Sequence, residues 1–380
     1  MTHAATFEIF LTVAPGLEQA LLAEVREQGF MEPKAVPGGV VVQGGWSDVW
    51  RANLSLRGAA RVLARIGEFR AFHLAQLDKR ARKFPWADVL RADIPVRVEV
   101  ATNKRSKIYH AGAAAQRIER ALSEELGVEI VPPNAPEAQS RGSVTLKCRI
   151  DDNLCVFSVD TSGEGLHKRG HKAAVGKAPM RETLAALFLR ECGFEGSEAV
   201  VDPMCGSGTF VIEAAEIARG LAPGRSRAFA FERLASFDAA AWEQIRSTCE
   251  EKETSLTFFG SDRNAGAVEM AAANAARAGV DGCTSFAQAA VSDLQPPEGA
   301  PGLVIVNPPY GARIGNKKLL FALYGALGQT LKERFSGWRV GVVTSDTALA
   351  KATQLPFLPV GAPVAHGGLK IRLFRTDPLP

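Results

Sequence analysis

The 380-residue sequence predicts an α/β chain in two parts: an α+β module to about residue 160, then a mostly parallel sheet with helices on both faces. Three observations carry this. Strand-like and helix-like patterns mix irregularly before Thr161, and after it they alternate regularly. The stretch between them, Thr161 to Pro179, is rich in Gly, Lys, Arg and His and reads as a boundary. At roughly 150 residues per domain the length fits two or three domains.

In the first part, Phe7 to Val13 reads as a strand, and Pro15-Gly16 leads into a helical pattern at Leu17, Leu21, Leu22 and Val25. A strand at Gly39 to Gln43 follows, then a short helix from Trp46 to Asn53 with Ser47 as its expected cap. Val62 to Phe69 alternates like a strand. Basic and apolar residues mix from Phe72 to Phe84, where Pro85 ends the pattern. Pro95 to Ala101 is a strand with Val96, Val98 and Val100 on one face, and a helix from Ala111 to Leu126 closes at Gly127. Strands Val144 to Ile150 and Leu154 to Asp160 are joined by a tight Asp151-Asp152-Asn153 turn. The second part has strands at Ala199 to Val201, Leu256 to Gly260, Thr284 to Ala287, Leu303 to Val306 and Arg339 to Thr344, with helical segments between.

Composition excludes several classes. The chain is 46% hydrophobic and 23% charged with mean hydropathy near zero, so it is neither disordered nor fibrous. Its longest apolar runs are strand-length, short of the roughly 20 residues that cross a bilayer. The start, Met1 to Ala5, lacks the basic and apolar regions of a secretion signal, so a cytoplasmic protein is expected. Six scattered cysteines without C-x-x-C spacing fit a reducing compartment. The net charge is only +4, but Arg51 to Arg117 holds fifteen Lys and Arg against five Asp and Glu. From Glu191 onward the balance is eighteen to twenty. Basic charge concentrated in the N-terminal half suits a polyanion, or is a solvated surface.

Three motifs carry chemistry. In Val200-Val201-Asp202-Pro203-Met204-Cys205-Gly206-Ser207-Gly208-Thr209-Phe210, a buried strand ends at an acid, a glycine turn follows, and a helical run continues through Val211 to Arg219. Gly206 and Gly208 allow a sharp turn and close approach to a ligand, and the helix start offers free N–H groups. A bare G-x-G is also an ordinary tight turn. The second motif, Phe258-Phe259-Gly260-Ser261-Asp262, ends a strand in an acid suited to ribose hydroxyls, or to capping the helix from Arg263 to Arg277. Asp262 lies sixty residues after Asp202, which makes residues 220 to 255 an insertion. The third is Leu303-Val304-Ile305-Val306-Asn307-Pro308-Pro309-Tyr310. Two prolines make a rigid turn whose carbonyls point outward. An Asn oxygen and a backbone carbonyl that both accept from an exocyclic nucleobase amine raise its nucleophilicity toward a methyl donor. The Tyr310 face stacks on the base, which must be single-stranded or flipped.

Together, Asp202 to Thr209, Gly260 to Asp262 and Asn307 to Tyr310 resemble the class I S-adenosylmethionine-dependent amino-methyltransferases. More narrowly, the chain resembles the THUMP-containing RNA guanine-N2 methyltransferase family, often labelled N6-adenine-specific DNA methylases. Asn53-Leu54-x-Leu56-Arg57, His167-Lys168-Arg169-Gly170-His171, Ala178 to Ala185, Leu323-Tyr324-x-Ala326-Leu327-Gly328 and Gly367-Gly368-Leu369-Lys370 extend the likeness over nearly the whole chain. The resemblance implies a ferredoxin-like part at 1–45, a THUMP domain at 46–160 and a Rossmann-like methyltransferase domain at 161–380.

It further implies S-adenosyl-L-methionine as cofactor. Asp202, Pro203, Cys205, Gly206, Gly208 and Thr209 would line its methionine end, Asp262 its ribose and Asp293 its adenine amine. Asn307, Pro308, Pro309 and Tyr310 would hold the target base, with Asn307 also beside the cofactor. Arg57, Lys168, Arg169 and Lys172 are candidate RNA contacts, and Arg61 and Arg65 face RNA or solvent. Cys205 reads as a close-approach loop residue rather than a nucleophile, since no base lies near it in sequence. His167 and His171 could pair on a metal, yet Lys168, Arg169 and Lys172 repel a cation, so no metal is expected. The expected reaction is methylation of guanosine N2 in ribosomal RNA, of the large subunit, or in tRNA. The family's large-subunit enzyme in some bacteria carries a second methyltransferase domain and this sequence contains one, while single-domain relatives include tRNA enzymes. The alternatives are N6-adenine methylation of DNA or RNA and an inactive RNA-binding or assembly factor. Intact Asp202, Gly206, Gly208, Asp262 and Asn307 argue against the last. No membrane contact is expected, and the chain is expected to be a monomer or weak dimer.

Overall fold

In the computed structural model, which describes residues 6–132, 134–135, 142–172, 180–310 and 317–380, the elements follow the two predicted regimes. The first part holds β1 (Phe7–Thr12), α1 (Glu18–Glu27), β2 (Met31–Val36), β3 (Gly39–Gly44), α2 (Trp46–Ser55), β4 (Arg61–Arg70) and α3 (Leu74–Ala81). It continues with β5 (Val96–Thr102), α4 (Ala111–Leu126), β6 (Val144–Asp151) and β7 (Leu154–Asp160). All seven strands join one sheet in the order β2-β3-β1-β4-β7-β6-β5, antiparallel except for the β5–β6 pair. Asp152 and Asn153, at φ 47° and 61°, make the tight β6–β7 turn that the sequence announces.

Two local expectations are corrected. Ser47 is not the cap of α2: Gly45 is, and Asp48 reaches back so that its Oδ2 accepts from Gly45 N at 3.0 Å. A carboxylate three positions into the helix serves the end as well as a capping hydroxyl. The strand β2 is absent from the sequence reading because Pro33 interrupts it. It lies at the sheet edge with a register shift between Met31 and Lys34, where a missing N–H is tolerated.

The second part holds α5 (Glu182–Glu191), β8 (Val200–Asp202), α6 (Thr209–Ala218), α7 (Ala239–Ser247), β9 (Phe258–Asp262), α8 (Ala265–Ala278) and β10 (Thr284–Gln288). It ends with β11 (Leu303–Val306), α9 (Lys317–Arg334), β12 (Arg339–Thr344), α10 (Thr347–Ala352), β13 (Val364–His366) and β14 (Leu369–Arg375). The second sheet runs β10-β9-β8-β11-β12-β14-β13. Its first five strands are parallel, and β14 and β13 pair antiparallel at the end. The β13–β14 hairpin turns on Gly367 and Gly368, both at positive φ. The continuous apolar run of β11 is buried on both faces, as a central parallel strand requires. From β8 the chain builds outward to β9 and β10 and then crosses back to β11. The order of the sheet therefore reverses beside β8, and a crevice is expected outside the carboxyl ends of β8 and β11.

By packing, the chain forms two units: Met1–Thr12, Val25–Leu166 and Arg227–Thr248 in the first, and Val13–Glu24, His167–Ser226 and Cys249–Pro380 in the second. Much of the 220–255 insertion thus belongs to the first unit, where α7 packs on α2 and Trp50 meets Phe231 and Phe237 with ring centroids 6.0 and 5.8 Å away.

Candidate active site

The glycine motif occupies the carboxyl end of β8. Asp202 closes the strand at 2% exposure and accepts at Oδ1 from Met204 N, 3.1 Å away. Burial pushes its carboxyl up to about 8, and the nearby Asp262 charge adds to the rise. Gly206 has φ 53° with open space where a Cβ would stand, so glycine is needed there for conformation. Gly208, at φ 85°, starts α6, and a Cβ on it would lie 3.1 Å from Ala271 Cβ, so close helix packing is a second reason. Cys205 N donates to Ser261 O at 2.9 Å, and burial pushes the Cys205 thiol up, which disfavours a thiolate nucleophile. Asn274, fully buried on α8, donates to Ser207 O at 3.0 Å and braces the loop from the adjacent helix. Pro203 is buried and Thr209 is the first residue of α6.

At the end of β9, Asp262 Oδ2 accepts from Gly206 N at 3.2 Å and its Oδ1 accepts from Asn264 N at 2.9 Å. The cap of α8 is Asn264, whose Oδ1 accepts from Gly266 N at 3.0 Å. Asp262 therefore ties the glycine loop to the next strand end and keeps further acceptor capacity on each oxygen. Asp293 closes a single helical turn beyond β10 and is exposed.

Asn307 follows β11 directly. Its Oδ1 is buried and has no hydrogen-bond partner among the described residues. A buried acceptor left unmatched costs about 1–3 kcal/mol, and a donor from a ligand would recover that cost. Pro308 is buried, and Pro309 and Tyr310 are half-buried, the Tyr310 ring packing against the core and its phenol pushed up by burial. Beneath this turn, fully buried Tyr324 of α9 places its hydroxyl 3.4 Å from Pro309 O and 3.2 Å from Thr344 Oγ1. The β8 strand pairs with β9 on one side and β11 on the other, so Asp202, Asp262 and Asn307 end three adjacent strands.

The candidate RNA contacts divide. Lys168 is exposed and Arg57 partly so. Arg169 is corrected: it is 1% exposed, and its Nε donates to Glu213 Oε1 at 2.9 Å with Nη2 3.4 Å from Oε2, so it is sealed under α6 and presents nothing to RNA. Lys172 is corrected too. Its Nζ donates to Thr209 Oγ1 at 2.8 Å, Glu182 Oε1 at 3.0 Å and Met180 O at 3.2 Å, which uses all three ammonium hydrogens at the start of α6. His171 is likewise buried, with Nε2 3.7 Å from Glu216 Oε1, and burial lowers its pKa. Arg61 pairs with Asp160 at 2.6 Å, and Arg65 pairs with Glu8. Sequence reasoning missed the Lys172–Glu182–Thr209 tripod and the Tyr324 prop, although Glu182, Thr209 and Tyr324 lie in segments that carried the family likeness and Lys172 directly follows one.

Residues 169–358 match the UPF0020 family model, described as an RMKL-like methyltransferase domain, and residues 8–63 match the RlmL ferredoxin-like domain. A Synechocystis protein, slr0064, provisionally designated an RNA methyltransferase, is 32% identical over 98% of this chain and 97% of its own length. The ribosomal RNA large subunit methyltransferase K/L of Psychromonas ingrahamii is 32% identical over 90% of this chain, which spans 46% of that enzyme. Among solved structures, SMU.472, provisionally described as a methyltransferase and complexed with SAH, superposes with a TM-score of 0.86 at 27% identity, covering 99% of both chains.

Proposed function

Because this chain belongs to the RMKL-like methyltransferase family and so to the S-adenosylmethionine-dependent RNA methyltransferases, we propose that it methylates the exocyclic N2 of a guanosine in large-subunit ribosomal RNA. One observation carries the choice of an amine: the buried Asn307 Oδ1 at the carboxyl end of β11, which has no hydrogen-bond partner among the described residues. An exocyclic amine offers two N–H donors, and its lone pair is drawn into the ring. An acceptor that takes one of those hydrogens in a water-poor site returns electron density to nitrogen and orients the lone pair. In this reading a carbonyl of the rigid Pro308-Pro309 turn takes the other hydrogen, and the Tyr310 ring supplies a surface for the flipped base.

The residues present fit the cofactor. The glycine loop leaves open space at Gly206, Asp202 supplies a buried acid suited to a cationic methionine end, and Asp262 keeps acceptor capacity for ribose hydroxyls. In this reading Asp202, Pro203, Cys205, Gly206, Gly208 and Thr209 hold the methionine portion, Asp262 the ribose and Asp293 the adenine. S-adenosylmethionine, when bound, supplies the electrophilic methyl. Proximity and amine polarisation by Asn307 do the rest, without a covalent intermediate or metal. Residues 1–45 and 46–160 act as the ferredoxin-like and THUMP parts that hold RNA, and 161–380, apart from the Arg227–Thr248 segment that packs with the first unit, as the catalytic domain. No helix among the described residues is long and apolar enough to cross a membrane, and a cytoplasmic site of action suits an RNA substrate.

The test is nucleoside mass spectrometry of separated ribosomal and transfer RNA from a deletion strain complemented with wild type or Asn307→Ala. N2-methylguanosine should vanish from the large-subunit fraction and return only with wild type. In vitro, Asn307→Ala should lower kcat by at least about a hundredfold, on the scale of one lost preorganised polar contact. Cofactor affinity should stay within a few-fold. Near-normal turnover by Asn307→Ala rejects the role given to Asn307, and missing N6-methyladenosine in place of N2-methylguanosine replaces the proposed base.

A further inference from the structure

At one end of the first unit's sheet, the carboxyl end of β5, the end of β4 and the β6–β7 turn come together, and the loop 103–110 crosses them. Exposure alternates along this loop: Ser106 and Ile108 are buried, while Arg105, Lys107 and Tyr109 are exposed. Its backbone is pinned throughout. Asn103 Nδ2 donates to Asp151 Oδ1 at 2.5 Å, Lys107 N to Asn153 Oδ1 at 2.8 Å, and Thr102 Oγ1 to the carbonyl of Tyr109 itself at 2.8 Å. His110 then caps α4 by accepting from Ala113 N. A ring that is 74% exposed is thus carried on a backbone fixed at its own carbonyl and anchored by the buried residue before it.

Two residues before Tyr109 and exposed on the same loop, Lys107 reaches a second exposed ring. Phe72 is 41% exposed with Lys107 Nζ 5.5 Å from its ring centroid. Arg105 and Arg149, each about three-quarters exposed, share the single carboxylate of Asp151, so the pair leaves net positive charge on the surface. A lone exposed aromatic is unremarkable. One on a pinned loop, with Lys107 linking the same surface to a second exposed ring and further cations nearby in the most basic stretch of the chain, matches what nucleotides offer: flat base faces and flanking phosphates.

We propose that Tyr109 and Phe72 form a stacking platform for unpaired nucleotides of the RNA substrate, with Arg105, Lys107 and Arg149 on the flanking phosphates. This rests on the reading of RNA as substrate and adds where and in what form the RNA is gripped. Unpaired nucleotides are specified because a base in an A-form duplex has its faces covered by its neighbours and cannot lie on an exposed ring. The pinned backbone matters energetically, since a loop already ordered loses little backbone freedom when its ring stacks.

The test uses the full chain and fluorescence anisotropy with a short labelled single-stranded RNA, the same strand as a blunt duplex, and polyglutamate as an unlabelled competitor. Tyr109→Ala should weaken single-strand binding by at least about fivefold, the lower end expected for one lost stack. Tyr109→Phe should stay within about twofold of wild type, and duplex binding should change in neither variant. Arg105→Ala should flatten the slope of log K against log salt by about 0.7, one phosphate's share for a single strand. Unchanged tryptophan fluorescence and denaturation midpoint show that the variants fold, since four of the five tryptophans lie in the first unit. Single-strand binding by Tyr109→Ala equal to wild type overturns the platform, as does an equal loss of single-strand, duplex and polyglutamate binding. If in that case wild type still methylates RNA from the deletion strain, only the platform falls. If wild type neither binds nor methylates RNA, the substrate reading falls with it.

Discussion

Arg82 in the first unit and Arg169 in the second each meet carboxylates at more than one nitrogen, in opposite surroundings. Arg82 spans α3 and α4, with Asp78, Glu124 and Glu125 at 3.2, 2.5 and 2.8 Å, and keeps 29% of its side chain in solvent. Arg169 and Glu213 are both 1% exposed. Solvated ions gain little from pairing because water already stabilises them, whereas buried ions have lost that water and depend on each other. Around Glu213 the pattern extends: Glu216 on the same helix is fully buried and accepts from Arg225 Nη2 at 2.6 Å, and Lys172 serves Glu182 and Thr209. Arg82 and its carboxylates therefore share their pairing with solvent. The basic residues beside α6 hold in place the helix that begins at the glycine loop.

The comparison is tested hardest at Arg169. Either Arg169→Ala or Glu213→Ala should destabilise the second unit by about 3–5 kcal/mol, because the remaining charge is buried without its partner. Urea denaturation gives the total, and amide hydrogen exchange in α6 locates it. Replacing both together, Arg169→Met with Glu213→Leu, should cost much less than the two single changes combined. Equal, small effects from the single changes would erase the distinction between the units.

A smaller effect concerns the buried acid of the site. The Asp202 carboxyl is raised to about 8 by burial, against an ordinary value near 4, so the folded state retains a proton that the unfolded chain releases. The sign follows from linkage: its contribution is fully present below about pH 4, declines as pH rises, and levels off above about 8. Asp202→Asn should flatten that part of the stability profile, measured as denaturation midpoint against pH. If Asp202 faces the cationic end of the cofactor, wild-type affinity should tighten with rising pH up to about 8, and the variant should lose that trend. A pH profile identical in both proteins would place the ionisation elsewhere.

What was legible in the sequence was local. The glycine loop, the acid ending β9 and the Asn-Pro-Pro-Tyr turn each sit within a few residues of the strand that positions them, so a change of period and a strand-ending acid were enough. The 220–255 insertion showed itself as an anomaly in length, but its return to the first unit did not, because Trp50 and Phe231 meet only in three dimensions. Arg169 misled for the same reason. Its neighbours Lys168 and Lys172 make a basic cluster along the chain, while its partner Glu213 lies 44 residues away. Tyr324 shows only a helical apolar pattern in sequence, and its role depends on where α9 places its hydroxyl under Pro309.

The smallest expected effect falls on Arg82, and it is what gives the comparison its meaning. Three carboxylates surround this guanidinium, and a count of contacts would rank it above Arg169. Its partners are exposed, Glu124 and Glu125 at 51% and 43%, so water replaces much of what the arginine supplies when it is removed. Arg82→Ala should leave the denaturation midpoint of the first unit close to wild type at moderate salt, with a small loss that shrinks further as salt rises and screens the cluster. Part of any residual loss comes from the aliphatic stem of Arg82 rather than its charge, and Arg82→Met, which keeps much of that stem, separates the two. A loss as large as that of Arg169→Ala, insensitive to salt, would mean that pairing geometry rather than solvent access decides what these charges contribute.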